Sequence, residues 1–569
     1  MKDLSNITTW QNSFGLLPIH LRPVNSESNF VLLNGGYGDF CLQTNKSDAS
    51  PEDYFSESWS SNTKNFIVIN NNKTEIYNWQ KNNVEIISNE QVSKNFDKFY
   101  TYLLSKSYKS ERDVIPFIID IFRQFRNLTR EKTNPTEALN LLFLLLTSLE
   151  ENLNINIDFE KWGIKETSIP SGFGYYVDRL KENNIKPHLD LIIRHSSGAL
   201  FQEAQKEVLF FNPQMELFGG VSNKLNSKEN LYSSVHYTPA YIARTIVENA
   251  LEKLDLSKTN IKIFDPACGS CEFLIEALKQ LKEKNYNGSV QIVGWDTSAT
   301  AVNTSTFLLT FEKRKVWGDK LTFNIELVTD SLLKKWDEDY DLILMNPPFV
   351  SWELLESKEA RDAVKETLNI NFSGRPNQAS AFFYKSVKSL SNHGVIGCVI
   401  PSSLLTLDSY KKLRSDINEQ LSINLIAKLG NFIFEDALTD VSILVGHKPK
   451  INDLVPTILW SRNEKGIANE ALRDLRKMNY TSQFTINKID YSIFQPIQFP
   501  IVEDSWRPIS VTQNQLLKKV NRFVIDKKLY PVKDIFKVQQ GINSGNNVFK
   551  INKEEYLQLP KNEQLFLGQ

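Results

Sequence analysis

Between residues 230 and 450 short apolar runs alternate with helical segments. Seven runs can be counted: Ile261–Phe264, Val290–Trp295, Phe323–Val328, Leu342–Met345, Val395–Ile400, Ile423–Leu429 and Ser442–Val445. Each has the length of a strand, and helix-period sequence separates most of them. Strands joined by helices build a doubly wound, mainly parallel sheet, an α/β arrangement whose ligands sit beyond the carboxyl ends of the strands. The informative residues are therefore expected where each run stops.

The fourth run ends abruptly at Asn346-Pro347-Pro348-Phe349. Prolines cannot continue a ladder and fix φ, so this tip is stiff. An Asn amide oxygen, a backbone carbonyl freed by the following proline and a flat ring make a clamp for a planar amine. The first run ends in Asp265-Pro266-Ala267-Cys268-Gly269-Ser270-Cys271-Glu272-Phe273. Small residues there let a ligand approach the backbone, and the next helix presents free amides to an anion. The second run ends in Trp295-Asp296-Thr297-Ser298, where an acid can accept from two ribose hydroxyls or simply cap a helix. The third ends in Thr329-Asp330-Ser331, a second acid suited to an exocyclic amine. One anion cradle and two acids describe an amino-acid-bearing nucleoside better than a dinucleotide, and the loop is not G-x-G-x-x-G. Cys268-x-x-Cys271 has no second pair nearby, so small thiols in a tight turn are a better reading than zinc or redox chemistry. Taken alone, Asn346–Phe349 also reads as a strand-terminating turn.

At 569 residues the chain should hold three or four domains. Its net charge of −1 excludes a global field for nucleic acid, so any such contact must come from local basic patches. Four cysteines argue for a reducing, cytoplasmic setting rather than a disulfide scaffold. The start, MKDLSNITTWQN, has no signal core, and the longest apolar run, Ala138–Leu149, is interrupted by Asn140 and too short to span a bilayer. A soluble intracellular protein with no membrane partner is expected.

Residues 1–90 read as a small mixed α/β region, with a hairpin from Asn65–Ile69 into Thr74–Tyr77. No carboxylate–carboxylate–lysine set marks a nuclease there, and Glu52 and Asp53 fall in a loop-like, Ser-rich stretch. Residues 91–229 read as a helical domain and linker: Phe96, Phe99, Tyr100, Leu103 and Leu104 share one face, as do Ile118, Ile121, Phe122 and Phe125. Asn134-Pro135-Thr136-Glu137 opens a further helix. His188 and His195 have no ligand partners at metal spacing, and Asn212–Asn230 looks like a linker. Beyond the tip, Asn369–Pro376 reads as a flexible loop stretch with an arginine, Arg375. Phe382-Phe383-Tyr384 should be core, and Tyr410–Arg414 is a modest basic patch. Residues 456–569 carry basic Lys518-Lys519, Arg522 and Lys527-Lys528, then Gly541–Phe549.

These residues resemble the S-adenosylmethionine-dependent N6-adenine DNA methyltransferases of type I and type IIG restriction–modification systems, well over 230–450 and more loosely over 91–230. The resemblance implies a Rossmann-like seven-stranded methyltransferase sheet in residues 230–455. It also implies that Gly541–Phe549 opens a partial target-recognition domain in 456–569. It makes Asn346, Pro347, Pro348 and Phe349 the catalytic motif. Cofactor contacts are implied at Tyr237, Thr238 and Pro239, at Asp265, Ala267, Cys268, Gly269 and Phe273, at Asp296 and Thr297, at Asp330 and Ser331, and at Asn346. His236-Tyr237-Thr238-Pro239 with Ile242-Ala243 would cover the methionine end. The family usually has glycine where this chain has Cys271, which would set the following helix slightly further from its strand. The implied function is methylation of a flipped adenine in double-stranded DNA within a restriction–modification or phage-defence system, with a specificity subunit or other defence subunit as partner. The same fold methylating a protein glutamine or an RNA base, a bifunctional type IIG enzyme with an N-terminal nuclease, and a non-catalytic binding subunit remain as alternatives.

Overall fold

Short runs rich in β-branched and aromatic residues, most of them closed by Asn, Gly or Ser, make six strands before residue 90. They are β1 (Leu17–His20), β2 (Asn29–Leu33), β3 (Phe40–Gln43), β4 (Asn65–Ile69), β5 (Lys73–Asn78) and β6 (Asn83–Ser88), hydrogen-bonded in that order. All neighbours are antiparallel except β3 and β4, which run parallel because the helix Pro51–Ser60 carries the chain back between them. That helix corrects the loop expected around Glu52 and Asp53. Ser50 Oγ accepts from the Asp53 amide at 3.3 Å, and the Asp53 carboxylate accepts from the Ser50 amide at 3.1 Å, a closed capping box ahead of Pro51. The backbone bond from Ser50 holds the Asp53 carboxyl below its usual range.

The computed structural model describes residues 2–530 and 557, apart from 22–27, 35–37, 45–48, 129–134, 152–157, 181–184, 196–210, 216–220, 226–237, 356, 370–373, 435–438, 482–483 and 497–504. Tyr237 and Gly541–Phe549 therefore lie outside the described residues. The described chain falls into two compact units, Met1–Val511 and Thr512–Gln569. The second contains most of the helix Val511–Ile525.

Helices Phe96–Ser105 and Val114–Leu128 bury the faces that the sequence spacing marks out, and Pro135–Thr147 is buried almost throughout. Part of the stretch expected as a linker pairs instead, β7 (Phe211–Met215) with β8 (Val221–Leu225), across a segment that includes Gly219-Gly220. His195 is buried, with Nε2 at 3.3 Å from the Leu21 carbonyl. Among the described residues no group of three or more His, Cys, Asp or Glu could hold a metal ion, and no helix is long and apolar enough to cross a membrane.

The second large sheet holds β9 (Asn260–Asp265), β10 (Ser289–Asp296), β11 (Leu321–Leu327), β12 (Tyr340–Met345), β13 (Leu390–Pro401), β14 (Ser422–Gly430), β15 (Val441–His447), β16 (Thr457–Ser461), β17 (Thr485–Asn487) and β18 (Tyr491–Phe494). Their order is β11-β10-β9-β12-β13-β15-β14-β16-β18-β17. All seven expected strands are present, but the sheet has ten, not seven. β16 pairs parallel with β14, and β18 and β17 extend the edge, so the expected boundary at 455 falls inside the sheet. The order β11-β10-β9-β12-β13 is parallel throughout, and β15 inserts antiparallel between β13 and β14. β12 is buried at every position, as a strand covered on both faces must be. The chain runs outward from β9 through β10 to β11 and returns to form β12 on the other side of β9. That reversal is the topological switch point, and it lies between the Asp265 and Asn346 ends.

Candidate functional site

The loop after β9 is wired to its neighbours by backbone and carboxylate bonds. Asp265 is buried, and its Oδ1 accepts from the Ala267 amide at 3.0 Å. Burial pushes its carboxyl up to about 8, with the nearby Asp296 charge adding to the rise against the Ala267 bond. Among the described residues it has no ion pair. The Cys268 amide donates to the Trp295 carbonyl at 2.9 Å, and the Cys271 amide to the Cys268 carbonyl at 2.8 Å, closing a tight turn. Gly269 holds φ +52°, and a Cβ there would meet open space. Gly294 on β10 lets the turn approach, since a Cβ would stand 2.6 Å from Ile325 Cδ1 and 3.3 Å from Cys268 Sγ.

Cys271 departs from the expectation in a specific way. It has φ 70° and is the N-cap of helix Glu272–Glu283, so the backbone there is left-handed. Glycine suits this position because of φ; the thiol occupies the same turn at a conformational cost. Both Cys268 and Cys271 are free and buried, and burial pushes both thiols far up.

At the end of β10, Asp296 Oδ2 accepts from the Gly269 amide at 2.9 Å and Oδ1 from the Ser298 amide at 2.8 Å. Burial raises its pKa against the pull of these amides. The helix cap is Ser298, whose Oγ accepts from the Ala301 amide, so Asp296 does more than start the next helix: it joins two strand ends. Thr297 beside it is exposed. After β11, Asp330 Oδ1 accepts from the Leu332 amide at 2.8 Å, and Ser331 Oγ donates to the Pro266 carbonyl at 2.6 Å. Lys385, which the sequence reading missed, donates to the Leu332 and Lys334 carbonyls at 2.6 and 2.9 Å and holds this loop from behind.

β12 delivers Asn346 to the same edge, half-buried, with Pro347 buried and Phe349 packed between two core clusters. The ring of Phe434 lies 6.4 Å from that of Phe349, tilted 68°. Phe434 follows β14, which points the same way as β12, so its place at the sixth strand end is its only mark in the sequence. Thr238 and Pro239 stand at the start of helix Ala240–Leu251, which packs on β13, β15 and helix Glu272–Glu283. Phe273 is buried in the main core cluster. Asp265, Ala267, Cys268, Gly269, Asp296, Asp330, Ser331 and Asn346 thus belong to four neighbouring strand ends on one edge.

The open cradle at Gly269, the buried acid without a cation and two further acids fit a ligand carrying an ammonium group and a nucleoside. The strand order, parallel from β11 to β13 with its reversal between β9 and β12, is that of a doubly wound α/β sheet. Residues 223–489 match the N-6 DNA methylase family model. The type II methyltransferase M.BanIII of Aneurinibacillus aneurinilyticus is 27 % identical over 286 residues, 46 % of this chain and 48 % of the relative. M.AccI of Acinetobacter calcoaceticus is 25 % identical over 304 residues, 53 % and 50 % of the two chains. The type I restriction enzyme MjaVII methylase subunit of Methanocaldococcus jannaschii is 26 % identical over 264 residues, 44 % and 43 %. The chain spans about half the length of the first two.

Proposed function

We propose that the protein transfers a methyl group from S-adenosylmethionine to N6 of an adenine flipped out of double-stranded DNA, as the modification component of a restriction–modification system. The observation that carries this reading is that the Asn346–Phe349 tip and the Asp265–Gly269 loop follow neighbouring parallel strands, β12 and β9, at one switch point. S-adenosylmethionine, when bound, supplies an electrophilic methyl on a sulfonium. Asp265 would meet its ammonium group, Asp296 its ribose hydroxyls and Asp330 its adenine amine, with the remaining loop residues shaping the cradle. Thr238 and Pro239, and Tyr237 before them, are assigned to the methionine end by resemblance alone.

The N6 lone pair of adenine is delocalised into the ring and is a poor nucleophile. The Asn346 side-chain oxygen and the Pro347 carbonyl accept from the two N6 protons, which favours a more tetrahedral nitrogen. Preorganised acceptors and alignment then carry the rate, and no charged base is needed beforehand. Pro348 stiffens the clamp. Phe349 stacks on the extruded base, and Phe434 forms a second aromatic wall. The names of the relatives, type II methyltransferases and a type I methylase subunit, support a restriction–modification setting with a specificity subunit as partner. Transfer of radiolabelled methyl to genomic DNA, followed by base analysis, tests the reading. Label in N6-methyladenine is expected; label in cytosine or in protein overturns it.

A further inference from the structure

Three of the loops at the edge that carries Asn346 each expose a large apolar side chain. Leu354 follows β12 and is 59 % exposed, Leu407 follows β13 and is 51 % exposed, and Phe432 follows β14 and is 52 % exposed. These strands run parallel to one another, since β15 is antiparallel to both β13 and β14. Phe432 differs from the two leucines in how its backbone is held. On one side Gly430 has φ +85° and fits against Asn463, where a Cβ would stand 2.5 Å from the amide oxygen. That same oxygen accepts from the Asn431 amide at 2.7 Å. On the other side Ile433 and Phe434 are buried, and Phe434 faces Phe349. An apolar ring is therefore kept in solvent between two fixed points. It stands two residues from the aromatic wall, within about 7 Å of chain.

An exposed phenyl costs solvation, and a loop free to move would fold it away. Here the neighbours on both sides are tied down, so the ring is presented outward. We infer that Phe432 is a wedge that enters the duplex and fills the stacking gap left by the extruded adenine. Apolar side chains inserted between base steps offset part of the unstacking cost and keep the vacated site from closing. The phenyl has the flat face that stacking requires; Leu354 and Leu407 do not. This inference rests on the adenine-methylation reading and adds a residue that acts on DNA, not on the reacting atoms.

The test compares two duplexes carrying the site located by mapping label on genomic DNA. In one the target adenine is paired with thymine; in the other it faces an abasic position, so flipping meets no pairing barrier. With the full chain, Phe432→Ala is expected to slow methylation of the paired duplex at least tenfold and to leave the abasic duplex within about twofold of wild type. Phe432→Trp should restore the paired rate, and cofactor affinity by calorimetry should match wild type in both variants. Equal slowing on both duplexes, or no slowing on either, overturns the wedge while leaving adenine methylation standing. The paired-duplex defect appearing with Leu407→Ala in place of Phe432→Ala also overturns it. Wild-type protein that methylates neither duplex overturns the adenine reading and the wedge with it.

Discussion

Asn346 and Asp265 answer to different physics, and single substitutions separate them. Asn346 is proposed to act chiefly on the bound amine, so Asn346→Ala should lower methyl transfer about 100-fold or more, the usual cost of removing a preorganised polar partner. Cofactor affinity by calorimetry should stay nearly unchanged; equal loss of both would mark the residue as structural. Asp265 is governed by burial. Its carboxyl sits near 8 in the fold and near the ordinary carboxylate range in the unfolded chain. Between those values the folded state keeps a proton that the unfolded state has lost. The associated stability is full at acid pH and is lost as pH rises through about 8. Asp265→Asn keeps an acceptor for the Ala267 amide and removes the ionisation. The cofactor-free variant should therefore show a flatter melting temperature between about pH 5 and about pH 8 than wild type. A slope unchanged by the substitution would mean that another group titrates.

Among the elements, the turn that starts helix Glu272–Glu283 stores strain. An L-residue in the left-handed region pays about 1 kcal/mol or more relative to glycine, while alanine keeps that cost and loses the thiol packing. At position 271 glycine should therefore be more stable than alanine by about 1 kcal/mol, the reverse of the order inside a helix. Urea melts of Cys271→Gly and Cys271→Ala read this directly, and alanine ranking above glycine would remove the strain argument. The same scale explains what the sequence could convey. Strands β9 to β15 were legible because buried strands are runs of apolar residues bounded by helical sequence. β16, β17 and β18 have five, three and four residues, too few for a period to emerge, and β17 is an edge. Helix Pro51–Ser60 was hidden by its serines, although Ser50, Pro51 and Asp53 already spelled a cap. Phe434 is not legible because an apolar ring after a strand carries no chemical signature of its own, and its contact with Phe349 is distant in sequence. The left-handed φ of Cys271 could not be read from residue type, since cysteine gives no such signal.

For the larger unit as a whole, a buried ionic knot ties Gly15, at the end of helix Ile7–Phe14, to helices Ala240–Leu251 and Ile467–Thr481, which pack on the ten-stranded sheet. Arg476 Nε donates to Glu248 Oε2 at 2.6 Å and Nη1 to the Gly15 carbonyl at 2.9 Å, while the Tyr480 hydroxyl donates to Glu248 Oε1 at 3.0 Å. Both charged side chains are 7 % exposed. Arg476 and Gly15 are 461 residues apart in sequence, which is why no local pattern announces the contact. Gly15 needs its φ of 63° there, and a Cβ would stand 2.3 Å from the Arg473 carbonyl oxygen. A buried pair of this kind adds little net stability over an apolar replacement, yet removing one partner strands a charge. Arg476→Ala should thus cost about 3–5 kcal/mol, seen as early loss of structure in urea. Glu248→Gln in that background should recover part of the loss, because the stranded carboxylate is gone. A double-mutant cycle on melts of the four proteins measures the coupling. Additive losses would mean that the two side chains do not act as a pair.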